Sequence, residues 1–215
     1  MYNIFNINRK YIKSGFTLIE LMIVIAIIAI ISALTLFNNA KLNSSILLNN
    51  TAYEISLIIR DAQISGLGSK VTNLNGNATT SNQGVYIDPS NPEEIIFFSD
   101  KNKDNKYTPG SEENQIYNIE NKRAGKILSI CTIVADTPCK SSNTSNVPNL
   151  NIIFKRPNPE AYFYIGSDTS TPDPVVDYMG SIVVNIGFPD GGECKSIIIY
   201  KTGAIQIDKS YCVTK

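Results

Sequence analysis

Three features of the 215-residue sequence predict an α+β protein. The first is an uninterrupted apolar run near the N-terminus: from Phe16 to Phe37 only Glu20 is charged. The second is helical continuity, since no glycine stands between Gly15 and Gly66 and no proline precedes Pro89. The third is a change of character near residue 70, after which short Ile-, Val-, Tyr- and Phe-rich segments alternate with turn residues. All ten prolines fall in that later part. The prediction is one long helix, about residues 16–66, laid on an antiparallel β-sheet.

Residues 1–15 form a short basic leader, with Arg9, Lys10 and Lys13 and no acid. The apolar run over 16–37 would extend about 33 Å as a helix, enough to cross the hydrocarbon core of a bilayer. The leader charges before it, with Lys41 behind it, favour a cytoplasmic N-terminus. A secretory signal peptide is cut after its apolar region, yet Leu36 to Lys41 is a poor cleavage site. An uncleaved signal anchor is the plain alternative. Glu20 calls for a reason, because a charge within a spanning segment is costly; a residue reaching back to water at the bilayer edge is the bland one.

Residues 38–68 read as the amphipathic half of the same helix. Leu48, Ala52, Ile55, Ile59 and Ala62 make one apolar stripe, with Asn49, Asn50, Glu54, Arg60 and Asp61 opposite. Ser65-Gly66-Leu67-Gly68-Ser69 ends it. Residues 69–215 are then a β-rich globular domain. The stretch from Val71 to Asn82, rich in Asn and Thr, reads as a loop. Strands are expected over residues 84–88, 94–99, 115–119, 126–134, 150–155, 161–165, 181–187, 195–200 and 204–207. Lys201-Thr202-Gly203 reads as a hairpin turn, and residues 136–149 and 167–180 as exposed loops.

Composition removes several functions. Nineteen basic and nineteen acidic residues cancel, and a chain cut after Gly15 keeps sixteen basic residues against nineteen acidic. Neither balance makes an electrostatic case for nucleic acid. Lys122, Arg123, Lys126, Lys209 and Lys215 are scattered rather than clustered. The chain has no histidine, so Ser-His and Cys-His catalysis are absent. No enzymatic constellation remains, and no cofactor is called for.

Cys131, Cys139, Cys194 and Cys212 all follow the apolar run. An even number in an exported domain reads as two disulfides with three connectivities. Zinc is disfavoured because no pair has a short Cys-x2–4-Cys spacing. The predicted hairpin over 197–207 brings Cys194 near Cys212, while Cys131 and Cys139 bracket a short loop containing Pro138. The expected pairs are therefore Cys131–Cys139 and Cys194–Cys212.

Asp100, Asn102 and Asp104 alternate as metal ligands do in calcium loops. The EF-hand pattern would want glycine at 105 and glutamate at 111, where Asn105 and Ser111 stand. Glu112 and Glu113 come late, and Lys101, Lys103 and Lys106 dilute the negative charge. A solvated turn is the competing reading.

The string Lys13-Ser14-Gly15-Phe16-Thr17-Leu18-Ile19-Glu20 resembles the leader signal of type IV prepilins and type II secretion pseudopilins. Residues 52–63, with Gly84-Val85-Tyr86-Ile87 and Ile95-Ile96-Phe97-Phe98-Ser99-Asp100, look like minor pseudopilins of the GspH/FimT-like group. The chain lacks the mid-helix proline of many major pilins, and its cysteines mark no subgroup. The resemblance implies a pilin fold and cleavage between Gly15 and Phe16 by a prepilin peptidase, then N-methylation of Phe16. It also implies insertion as a single-pass protein of the inner membrane, with the globular domain outside. Assembly into an envelope filament would follow, with other pilin or pseudopilin subunits and an inner-membrane assembly platform. There Glu20 would meet the Phe16 ammonium. Two functional classes follow: a structural filament subunit, or a pilus-tip module that binds DNA or a surface.

Overall fold

The computed structural model describes residues 15–68, 71–74, 77–119, 125–133, 147–166, 180–188 and 193–209, without the side chains of 35–43, 71–79 and 133. The leader over 1–14, Lys122, Arg123, Cys139, Cys212 and Lys215 lie outside the described residues.

Helix α1 spans Leu18–Leu67, within two residues of the expected start. Eleven strands follow: β1 (Val71–Leu74), β2 (Asn77–Thr80), β3 (Asn82–Ile87), β4 (Glu94–Asp100), β5 (Glu113–Asn118) and β6 (Lys126–Ile133), then β7 (Leu150–Phe154), β8 (Ala161–Ile165), β9 (Ser181–Gly187), β10 (Cys194–Tyr200) and β11 (Ile205–Asp208). The chain divides into two compact units, Met1–Leu42 and Asn43–Lys215.

In the first unit the side chains from Phe16 to Leu34 are exposed on every side of the helix. No helix among the described residues is long and apolar enough to cross a membrane. The described apolar side chains of α1 run only from Leu18 to Leu34 before the gap at 35–43.

In the second unit α1 presents Leu48, Ala52, Ile55, Ile59 and Ala62 to one core, each at most 1 % exposed. All nine predicted strands are present as β3 to β11 with ends shifted by no more than two residues. They do not form the single sheet expected. They divide into a five-stranded sheet, β5-β4-β3-β7-β8, and a four-stranded sheet, β11-β10-β9-β6, with every pairing antiparallel. The alternation of apolar residues shows which side of a strand is buried, but not which strand lies beside it. Val85, Ile152 and Phe163 of one sheet and Ile130, Val184 and Ile197 of the other join the helix stripe in a shared apolar cluster.

The loop expected over residues 71–82 is also corrected. It holds the hairpin β1–β2, whose register closes Leu74 on Asn77 across the Asn75-Gly76 dipeptide. Asn-Gly is a strong signal for a two-residue hairpin, and it overrides the polar composition. The turn at Lys201-Thr202-Gly203 is as expected: Gly203 has φ +83° and its N–H donates to the Tyr200 carbonyl at 2.8 Å. That turn is tied to the helix by Gln63, whose Nε2 donates to the Gly203 and Pro159 carbonyls at 3.2 and 2.8 Å.

Candidate functional site

The start of α1 is built by Thr17. Its carbonyl accepts the first helical bond from Leu21 N at 3.2 Å, and its Oγ1 accepts from Glu20 N at 3.3 Å. The same hydroxyl donates to Glu20 Oε2 at 3.5 Å. Thr17 is thus the N-cap and Glu20 the third helical residue, the spacing of a capping box, with the carboxylate here meeting the Thr17 hydroxyl. Sequence reasoning missed this role of Thr17, although Thr-x-x-Glu before an apolar run is its signature. The Glu20 carboxylate is exposed and lies in the first turn, where the helix dipole favours negative charge. Phe16, just before the cap, is 83 % exposed.

Among the described residues a Cβ at Gly15 would meet no atom within 4 Å, and its φ lies outside the range that favours glycine.

The alternating residues of the second site lie on the β4–β5 hairpin. Asp100 ends β4, and its Oδ2 accepts from Asn105 N at 3.3 Å and Asn82 Nδ2 at 3.5 Å. Asn102 Oδ1 accepts from Asp104 N, and Asp104 Oδ1 from Lys106 N. Asn105 has φ +65°, the left-handed conformation for which an EF-hand uses glycine. Asparagine tolerates that region, so the missing glycine does not disqualify the loop.

Glu112 comes late for the sequence pattern, yet the structure brings it into the loop. Its Oε1 accepts from Lys101 N and Asn102 N at 2.9 and 3.2 Å, and its Oε2 from Thr108 N at 2.9 Å. Asp100 is 0 % and Glu112 1 % exposed. Burial, then the neighbouring Glu112 charge, pushes the Asp100 carboxyl above its ordinary range, with a smaller push from Asp104. Asp100 Oδ1 is buried without a hydrogen-bond partner. Counted alone, the Asp, Glu and Cys side chains among the described residues offer no group of three placed to hold a metal.

Tyr107 fastens the loop to the five-stranded sheet. Its ring lies 4.9 Å from that of Tyr86 and 5.5 Å from that of Phe98, and its N–H donates to Asn151 Oδ1 at 2.9 Å. Elsewhere Lys126 Nζ pairs with Glu93 at 2.6 Å, so this basic residue already has a partner.

Cys131 and Cys194 are both disulfide-bonded. The register places Cys131 opposite Val183, and Val183 opposite Ile198, four residues along β10 from Cys194. Two strand spacings and four residues separate their Cα atoms by about 16 Å, far beyond the reach of a disulfide. Cys131–Cys194 is therefore excluded as a pair.

Residues 12–36 match the family of the prokaryotic N-terminal methylation motif. The match covers the leader end, Gly15-Phe16, the Thr17 cap, Glu20 and the exposed apolar helix. This segment is a type IV pilin-like signal, which implies processing by a prepilin peptidase and assembly with other pilin subunits. No curated protein and no solved structure matches the chain.

Proposed function

We propose that the chain is a minor pilin or pseudopilin, a structural subunit of a type IV pilus or type II secretion filament. Residues 1–15 would be the leader, 16–37 the membrane and filament-core half of the helix, 38–68 its amphipathic half, and 69–215 the displayed domain. Before assembly the chain would span the inner membrane once, N-terminus in the cytoplasm.

One observation carries this reading: the methylation motif runs directly into a helix whose apolar side chains are exposed all round from Leu18 to Leu34. Such a surface is not stable in water, and only lipid or other apolar helices can cover it. The domain supports the same reading. Ile46, Tyr53, Leu57 and Ile64 form a second, exposed stripe on α1 away from the core. Tyr53, Leu57 and Arg60 line a groove with Ile205 and Ile207 that suits a neighbouring subunit.

The tip-binding alternative draws on basic residues for DNA, of which Lys126 is paired with Glu93. The test is expression in a host with an active pilus or secretion system, followed by shearing and intact-mass analysis. Processed protein in the sheared filament fraction is expected. Protein that remains only in the membrane fraction, uncleaved, overturns the proposal.

A further inference from the structure

The geometry points to a binding site for a hard divalent cation of the calcium class in the β4–β5 loop, built from Asp100, Asn102, Asp104 and Glu112. This goes beyond the filament reading and does not depend on it.

The starting observation is Asp100 Oδ1, fully buried with no hydrogen-bond partner. A buried carboxylate oxygen left in that state is costly, and native structures rarely leave one without a reason. Its sister oxygen, Oδ2, is held between the loop and the sheet by Asn105 N and Asn82 Nδ2, which fixes the carboxylate at the base of the loop. Glu112 and Asp104 are the charged groups that act on it most strongly. None of these three carboxylates has a described ion pair, and the buried Lys106 Nζ bonds to none of them.

The oxygens fit a calcium-class ion better than a transition metal. The site holds carboxylate and amide oxygen with no histidine or cysteine, the donor set of hard cations. Three carboxylates alone do not form a cage, and a calcium loop does not ask them to. Position 3, here Asn102, supplies an amide oxygen, and position 7, here Lys106, a main-chain carbonyl. The hydrogen bonds that Asn102, Asp104 and Glu112 accept from backbone N–H groups leave further lone pairs on the same oxygens. Glu112 stands one place beyond the usual twelfth-position glutamate, so the loop is one residue longer than an EF-hand loop.

The test uses the full-length chain in detergent, first stripped with EDTA. With about 10 mM calcium the midpoint of thermal unfolding should rise by about 5 °C, as for a ligand near a hundredfold over its dissociation constant. Terbium should show emission sensitised by tyrosine, because Tyr107 adjoins the loop and the chain has no tryptophan. Asp100→Asn keeps an acceptor for Asn105, so its unfolding in EDTA should match wild type while its calcium response is lost. Glu112→Gln and Asp104→Asn should each weaken the response at least tenfold in calcium concentration. An unchanged wild-type midpoint, with no terbium emission that calcium displaces, overturns the site. So does a calcium response that survives in all three variants.

Discussion

Thr17 and Glu20 close the first turn of α1 on each other, hydroxyl to carboxylate at 3.5 Å and amide to hydroxyl at 3.3 Å. The carboxylate therefore has a local structural role as well as its proposed one in assembly. Substitutions can separate the two. Glutamine also serves at the third position of a capping box, so Glu20→Gln keeps the helix start and removes only the charge. It should be cleaved normally yet enter filaments poorly, because the Phe16 ammonium of a neighbouring subunit loses its partner. Thr17→Ala should cost about 1 kcal/mol at the helix start while leaving the charge in place. Leader cleavage and recovery in sheared filaments measure both effects. Normal incorporation of Glu20→Gln would leave Glu20 as a cap residue alone.

Processing is expected between Gly15 and Phe16. Intact mass should show loss of residues 1–15 and the gain of one methyl group. Because a Cβ at position 15 meets no described atom, Gly15→Val should leave the fold unchanged and block cleavage. A mature N-terminus elsewhere would refute the assignment.

The stripe on α1 predicts where stability resides. Ile59 is completely buried between the helix and the strands, so Ile59→Ala should lose about 2–5 kcal/mol through lost burial and the cavity left behind. Leu57, on the exposed stripe, should tolerate the same change with little loss. Urea unfolding of both variants distinguishes them, and equal losses would contradict the packing described.

Tyr117 offers a test of sign. Burial, and then the Asp61 carboxylate on α1, hold its phenol above the ordinary value. The neutral form is favoured in the fold, so its contribution is complete below about pH 10, the unfolded value, and is lost as pH rises through the folded one. Wild type should lose stability above about pH 10, and Tyr117→Phe should lose less over the same range. Parallel profiles would show that Tyr117 does not report on this contact.

With Cys131–Cys194 excluded by register, two connectivities remain, and the proposed one joins Cys131 to Cys139 and Cys194 to Cys212. Closing a loop of about twenty residues should contribute about 3 kcal/mol by restricting the unfolded chain. Non-reducing peptide mapping decides the matter; Cys131 joined to Cys212 would reverse the assignment.

Much of the fold was legible because helix and strand periods are written locally. The 4, 3, 4, 3 spacing from Leu48 to Ala62 named the buried face of α1, and every predicted strand exists. The division into two sheets was not legible, because the pairing of β6 with β9 joins segments about fifty residues apart and leaves no local mark. In the candidate cation loop, Asp100, Asn102 and Asp104 stood out by alternation. Glu112 did not, since its inward turn depends on amides of Lys101, Asn102 and Thr108 that only the folded loop assembles. The Thr17 cap is legible in the sequence, since Thr-x-x-Glu ahead of an apolar run carries its signature.

Gln63 joins residues made early to residues made late. Its amide binds Pro159, 96 positions away, and Gly203, 140 positions away. Closing loops of that length costs entropy that only the completed contacts return, so high contact order slows folding. If the domain is exported as proposed, it cannot finish closing until the segment around Gly203 has crossed the membrane. A subunit held at its N-terminus would thus carry a built-in delay, its α1 waiting with an open core until the last strands arrive.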